Sequence, residues 1–153
     1  MRVGFDYHWT LVPDPDREDI EKMAFILACS NLDDVKLYMV TGVRRDDHQG
    51  DTDRRAMCQD FNDTTVKGME YRPVYISNKP LIRRFESGCG KAKIINALGI
   101  TLMFDDDLIQ VACMRELCPD CLVCYVQPQL QRFDKDMGLF RDLQHYVKLP
   151  AAD

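Results

Sequence analysis

Short apolar runs, each ended by a polar or glycine stop, alternate along this chain with stretches in which apolar residues recur every three or four positions. That alternation is the pattern of strands in a parallel sheet joined by helices. Arg2-Val3-Gly4-Phe5 is the first run, closed by Asp6. Pro13 and Pro15 break the chain. Residues 17–31 then carry Ile20, Met23, Ala24 and Leu27 at helical spacing, with Asp16 as N-cap and Asp19 and Glu21 suited to the positive end of the helix. Lys36-Leu37-Tyr38-Met39-Val40 reads as a second strand, stopped by Thr41-Gly42. The charged stretch 44–55 reads as a solvated loop leading into a short helix near residues 52–61.

Val74-Tyr75-Ile76 is the third predicted strand, followed by a helical turn over 79–87. Gly88-Cys89-Gly90 reads as a flexible loop, and a short helix over 91–98 closes at Gly99. Thr101-Leu102-Met103-Phe104 is the fourth strand and runs into Asp105-Asp106-Asp107. A helix over about 107–117 has Leu108, Val111 and Ala112 in register, and residues 121–126 form the fifth strand. The tail from Pro128 holds a helix near 135–146. The expectation is an α/β protein with three α/β/α layers, Rossmann-like, around a central parallel sheet. It would be a single domain over 1–153, with the chemistry in a core of about 1–127 and a helical tail over 128–153.

Composition narrows the class. A chain of 153 residues that is 46% hydrophobic can bury a core and is not a disordered segment. A net charge of −5 argues against a protein that coats nucleic acid along its length. No run approaches the roughly 18 apolar residues that a membrane span needs. The start, Met1-Arg2-Val3-Gly4-Phe5-Asp6, has no secretory pattern, so the expected location is cytoplasmic and the seven cysteines are expected as thiols. Cys118 and Cys121 form a C-x-x-C, and Cys121 to Cys124 repeats the spacing. The two share Cys121, and residues three apart on a strand face opposite ways, so Cys113, Cys118, Cys121 and Cys124 read as core thiols rather than a zinc site. His48 and His145 read as surface residues.

The chemistry lies at the strand ends. Asp6, Thr41 and the cluster Asp105-Asp106-Asp107 each follow an apolar run, and ligands of open parallel sheets bind outside the carboxyl ends of the strands. Carboxylates gathered there repel unless a cation sits among them, and hard oxygen donors suit Mg²⁺. Asp6, Asp105 and Asp106 are the expected ligands. Taken singly, a strand-end Asp is often a helix cap, which suits Asp107, and a triple Asp is often merely solvated.

Together these motifs resemble the haloacid dehalogenase (HAD) superfamily of phosphohydrolases. Its first motif, an apolar strand followed by Asp-x-Asp-x-Thr, is matched by Val3-Gly4-Phe5-Asp6-Tyr7-His8-Trp9-Thr10. Its second, an apolar strand ending in Ser or Thr, is matched by Leu37-Tyr38-Met39-Val40-Thr41-Gly42, with Arg44 close behind. Its lysine at a helix start falls on Lys91, with Lys93 as second choice, and its acidic pair on Asp105 and Asp106. Leu102 to Val126 is most similar to the phosphatase domain of phage-type polynucleotide kinase-phosphatases. The resemblance implies a Mg²⁺-dependent phosphomonoesterase with little or no cap. Asp6 would form an aspartyl-phosphate, and Thr41 and Lys91 would hold phosphoryl oxygens. Asp6, Asp105, Asp106 and the backbone carbonyl of His8 would ligate the metal. Thr10 would brace the first loop, and Gly42, Arg44 and Trp9 would face the substrate.

Two departures stand out. His8 replaces the second Asp, which in the family protonates the leaving group and then activates water. Histidine can do both near neutral pH. His8 therefore leaves open an active enzyme, a slow one, or a catalytically impaired module that binds a phosphorylated ligand or protein partner. Trp9 beside the nucleophile can stack on a base or narrow the site. An open site favours a large substrate, and a nucleotide or polynucleotide phosphate end is the first expectation. Cations to hold it would come from Arg44, Arg45, Arg54 and Arg55, or from Arg83 and Arg84.

Overall fold

The structure is a computed structural model that describes residues 1–11, 34–63, 68–80 and 82–126, without the side chains of Trp9 and Asp63. Five strands pair in parallel: β1 (Arg2–Phe5), β2 (Lys36–Arg44), β3 (Met69–Ile76), β4 (Leu102–Asp105) and β5 (Leu122–Tyr125). Their order across the sheet is β3-β2-β1-β4-β5. Among the described residues three α-helices connect them: α1 (His48–Asp63), α2 (Arg83–Leu98) and α3 (Leu108–Leu117). A π-helical turn over Tyr7–Leu11 follows β1. The open, three-layer Rossmann-like fold expected from the apolar pattern is present.

Strand alternation divides the core in two. Val3, Phe5, Leu37, Met39 and Phe104 face one side, where Cys58 of α1 joins them. Phe5 and Phe104, adjacent in the β1–β4 register, stack with ring centroids 5.2 Å apart. Tyr38, Val40, Met103 and Val123 face the other side, where Ala92 and Ile95 of α2 and Val111 and Met114 of α3 cover them. Both helices on that side have defined ends. Asp107 caps α3 by accepting from the backbone N–H groups of Ile109 and Gln110, at 3.0 and 3.2 Å. Gly99 ends α2 at φ +66°, a left-handed turn that glycine adopts without strain.

Several boundaries differ from the sequence pattern, each for a tertiary reason. Thr41-Gly42 does not stop β2, which runs on to Arg44 because β3 pairs with it from Leu37↔Met69 to Arg44↔Ile76. β3 is correspondingly longer than Val74–Ile76 and tolerates Pro73 because it lies at the sheet edge. α1 begins at His48, within the stretch read as a charged loop. Gly88-Cys89-Gly90 is not a loop but the middle of α2. A Cβ at Gly88 would lie 2.8 Å from the Cys113 Cβ and 3.0 Å from the Gln110 Cα, and one at Gly90 would lie 2.3 Å from the Val74 Cγ1. These glycines let α2 press against α3 and the sheet at once, and packing outweighs their poor helix propensity. The helices expected over 17–31 and 135–146, and His145, fall outside the described residues. Among the described residues no helix is long and apolar enough to cross a membrane.

The cysteines follow the strand geometry. Cys118 is buried in the α2–α3 side of the core and Cys121 packs against it, whereas Cys124 packs on the α1 side. Cys113 is buried against Ile109. Burial raises the Cys113 thiol to about 12 and the Cys121 thiol to about 11, so both are protonated core groups at neutral pH.

The close approach at Gly88 generates a test. Gly88→Ala should destabilise the protein by about 1–2 kcal/mol in urea unfolding, because the clash with α3 outweighs the better helix propensity. An unchanged or increased midpoint would show that α3 yields freely at this contact.

Candidate functional site

Successive strands run outward from β1 to β3, after which the chain crosses back to β4 and β5 on the other side. The switch point therefore lies between β1 and β4, where the connections diverge and leave a crevice at the carboxyl ends. Asp6 directly follows β1, Asp105 ends β4, and Asp106 is next. Backbone pairing holds them there. The Asp6 N–H donates to the Phe104 carbonyl at 2.9 Å, and the Val126 N–H donates to the Asp105 carbonyl at 2.8 Å. One oxygen from each of Asp6, Asp105 and Asp106 lies within 4.8 Å of the others, and all three residues are buried.

Lys91 reaches this cluster from α2. Its Nζ donates to Asp6 Oδ1 at 2.9 Å and to Asp105 Oδ2 at 2.6 Å, and the side chain is 1% exposed. The face of α2 that carries it explains the placement. Arg84, Ser87 and Lys91 recur at helical spacing and are buried, as are Ala92 and Ile95 one turn further on. The first half of that face is polar and meets the strand ends; the second half is apolar and meets the core. Lys93, the alternative lysine, is exposed.

The charges respond to one another. Burial disfavours an ionised Asp6, but the ammonium of Lys91 and its hydrogen bond outweigh burial and hold the carboxyl below its ordinary range. Asp105 goes the other way: burial and the neighbouring Asp6 charge push it up to about 7, against the pull of Lys91. Lys91 is itself raised, since its two carboxylates overcome the desolvation that would lower it. When all are ionised, three carboxylates face one ammonium, and two negative charges are left over. That surplus and the all-oxygen donor set fit a divalent hard cation such as Mg²⁺. Asp107 belongs to the frame. It caps α3 and pairs with Arg84, whose Nε lies 2.5 Å from Asp107 Oδ2.

A cavity of about 310 Å³ opens over the cluster, lined among others by Asp6, His8, Thr41, Gly42, Lys91 and Asp106. Thr41 is buried within β2. Gly42 matters by its missing side chain, since a Cβ there would lie 2.4 Å from the Ser87 Oγ. Ser87 donates to Gln110 Oε1 at 2.9 Å, which ties α2 to α3 along the cavity wall. Arg44 stands at the rim, exposed, 3.8 Å from Asp46. Thr10 is fully buried and does not line the cavity. Trp9 lies in the π-helical turn, and its side chain is outside the described set.

The opposite wall comes from α1. Arg54 is 3% exposed and its guanidinium lies 4.8 Å above the Tyr7 ring. Arg54 Nη2 is 2.7 Å from His8 Nε2. A guanidinium only donates, so this contact requires the lone pair on Nε2 and puts the ring proton on Nδ1. Asp47 Oδ2 stands 3.8 Å from Arg54 Nη1. Of the other arginines suggested for the substrate, Arg83 and Arg84 line the cavity. Arg55 is turned away, bonded to the Tyr75 hydroxyl at 3.1 Å and set over the Tyr71 ring.

Asp47, Ser87 and Gln110 were not singled out from the sequence. A continuous α2 would have shown the Arg84-Ser87-Lys91 stripe; nothing local marks Asp47 or Gln110.

No protein-family model matches this chain, and no curated protein matches it. A crystal structure of an uncharacterized protein from Corynebacterium glutamicum ATCC 13032 Kitasato is similar, at 13% identity and a TM-score of 0.47, over 92% of this chain and 94% of that one.

The raised Asp105 fixes the sign of a pH effect. Its contribution to stability is full below the ordinary carboxyl value near 4 and is lost as pH rises through about 7. A divalent cation favours the ionised form and reverses that loss. Mg²⁺ should therefore raise the melting temperature more at pH 8 than at pH 5.5, and Asp105→Asn should flatten the difference. Equal Mg²⁺ shifts at both pH values would refute the assignment.

Proposed function

We propose that this protein is a Mg²⁺-dependent phosphomonoesterase in which Asp6 is the nucleophile. The observation that carries the reading is the buried Asp6–Lys91–Asp105 bridge beside Asp106 at the switch point. A carboxylate held ionised is available to attack phosphorus, and the same lysine can carry phosphoryl charge. Asp6, Asp105 and Asp106 would hold the metal, which when bound supplies positive charge to the phosphoryl oxygens. The resemblance to HAD phosphohydrolases supports the same assignment.

In this scheme an Asp6 oxygen forms a bond to phosphorus as the ester oxygen leaves and takes a proton from solvent. Thr41 and Lys91 orient the phosphoryl group at the bottom of the cavity. Water then attacks phosphorus, loses a proton to a base, and Asp6 is released as carboxylate. His8 lines the cavity, and its imidazole can take that proton at Nε2 once Arg54 releases it, because Nδ1 already carries the ring proton.

The His8–Arg54 contact also favours a second reading. If Arg54 keeps the Nε2 lone pair engaged, the site binds a phosphorylated ligand without turning it over. Hydrolysis of p-nitrophenyl phosphate across pH 5–9 separates the two. The enzyme reading expects Mg²⁺-dependent turnover that EDTA abolishes and that Asp6→Asn lowers by at least about a thousandfold with the fold intact by circular dichroism. Under that reading His8→Asp lowers activity or shifts its pH profile. A large gain on His8→Asp would mark the natural site as impaired, and a folded wild type without activity would favour the binding module.

A further inference from the structure

Arg54 is the most under-satisfied buried cation of the site. It is a guanidinium with five N–H donors, 3% exposed, on the cavity wall. Among the described residues its only close hydrogen bond is to a neutral acceptor, His8 Nε2 at 2.7 Å. Among the described residues, Nε and Nη1 have no hydrogen-bond partner. Asp47 answers the charge from 3.8 Å, beyond hydrogen-bonding distance, and its own side chain is 30% exposed. The Tyr7 ring covers one face. Gly50 gives the group its room, because a Cβ there would lie 2.3 Å from Arg54 Nη1. Burying a cation with donors unmet costs stability unless an anion completes it.

The contrast with the other buried cations is direct. Lys91 is bonded to two carboxylates and Arg84 to Asp107. Arg54 therefore has capacity left for a ligand; it enters the cavity from α1 beside His8, whereas Lys91 enters from α2 and is bonded to Asp6 and Asp105. Arg83 and Arg44 line the same cavity and add positive charge.

We propose that Arg54 is a specificity-determining residue that binds a second phosphate on the substrate, so that the preferred substrate carries two phosphate groups on one nucleoside-sized scaffold. One is the monoester placed at Asp6; the other, a monoester or diester, forms charge-assisted hydrogen bonds with Arg54. The inference rests on the phosphatase reading for its first phosphate, whereas the Arg54 contact stands on burial and geometry alone. A cavity of about 310 Å³ suits one nucleotide unit and not an extended strand. A free bisphosphorylated nucleoside and the 3′-phosphorylated end of a polynucleotide present the same pair of groups.

The test compares thymidine 3′-monophosphate, thymidine 3′,5′-bisphosphate and a 3′-phosphorylated dithymidylate, by turnover and by calorimetric binding to Asp6→Asn protein in EDTA. The bisphosphate should exceed the monophosphate roughly tenfold to a hundredfold in both kcat/KM and affinity, the range for buried charge-assisted hydrogen bonds. In Arg54→Gln that ratio should collapse towards one, and Arg54→Lys should restore part of it. Using the ratio cancels any general loss caused by disturbing His8, and the wild-type preference is readable even if a variant fails to fold. A stronger preference for the dithymidylate would assign the second phosphate to a polynucleotide, and one for the bisphosphate to a free nucleotide. Equal handling of mono- and bisphosphate by wild type, or a ratio unchanged in folded Arg54→Gln, would overturn the proposal. Absence of turnover with a retained binding preference would reject the phosphatase reading and leave the Arg54 site standing.

Discussion

The ammonium of Lys91 between Asp6 and Asp105 is the interaction on which the rest depends. Parallel strands deliver both carboxylates to one point, and Asp106 adds a third. Without a cation, three ionised groups at that separation in a buried site would repel strongly enough to force protonation or open the strand ends. Lys91 relieves Asp6 fully and Asp105 in part, which is why their carboxyl groups shift in opposite directions. The arrangement keeps one carboxylate ready and leaves another sensitive to whatever further cation arrives.

That single contact constrains the packing far from it. Lys91 reaches the strand ends only if α2 runs unbroken and close to the sheet. Gly88 and Gly90 permit the approach to α3 and to Val74, and Gly42 makes room for Ser87. The same helix face then passes from Arg84, Ser87 and Lys91 into Ala92 and Ile95. Site and core are consecutive segments of one face, so a loss of packing at either glycine would be felt at the carboxylates. Buried ion pairs seldom outperform well-packed apolar side chains in stability. This many buried charges at the end of a sheet are better explained by ligand chemistry than by the needs of folding.

Most of the architecture was legible because strand signals here are short and cleanly ended. Asp6 and the Asp105–Asp106 pair were legible as strand-end residues from pattern alone, whereas Lys91 was marked by the resemblance to HAD phosphohydrolases, with Lys93 as the alternative. The failures share a cause. Gly88-Cys89-Gly90 looks like a loop to local propensity, and Thr41-Gly42 like a strand end, yet both are held in regular structure by partners distant in sequence: Cys113, Gln110 and Val74 in the first case, β3 in the second. Misreading the glycines hid the Arg84-Ser87-Lys91 stripe. The charged stretch 44–55 hid Asp47, and left Arg54 undistinguished from its neighbouring arginines, for a related reason. A charge-rich segment reads as solvated, and only tertiary packing shows that one arginine is turned inward against Tyr7 and His8.

The inward arginine changes how the histidine should be understood. Taken alone, His8 in place of an acid/base aspartate looks like decay of a catalytic position. With Arg54 donating to Nε2, the ring gains a defined orientation and a defined tautomer. An aspartate at that position would instead form a full ion pair with Arg54 and consume the guanidinium. A neutral imidazole holds the arginine in place without adding a second carboxylate to the one at Asp47. Histidine at position 8 and arginine at position 54 thus form one unit: the imidazole fixes one edge of the guanidinium through Nε2, and Nε and Nη1 are left without a hydrogen bond among the described residues.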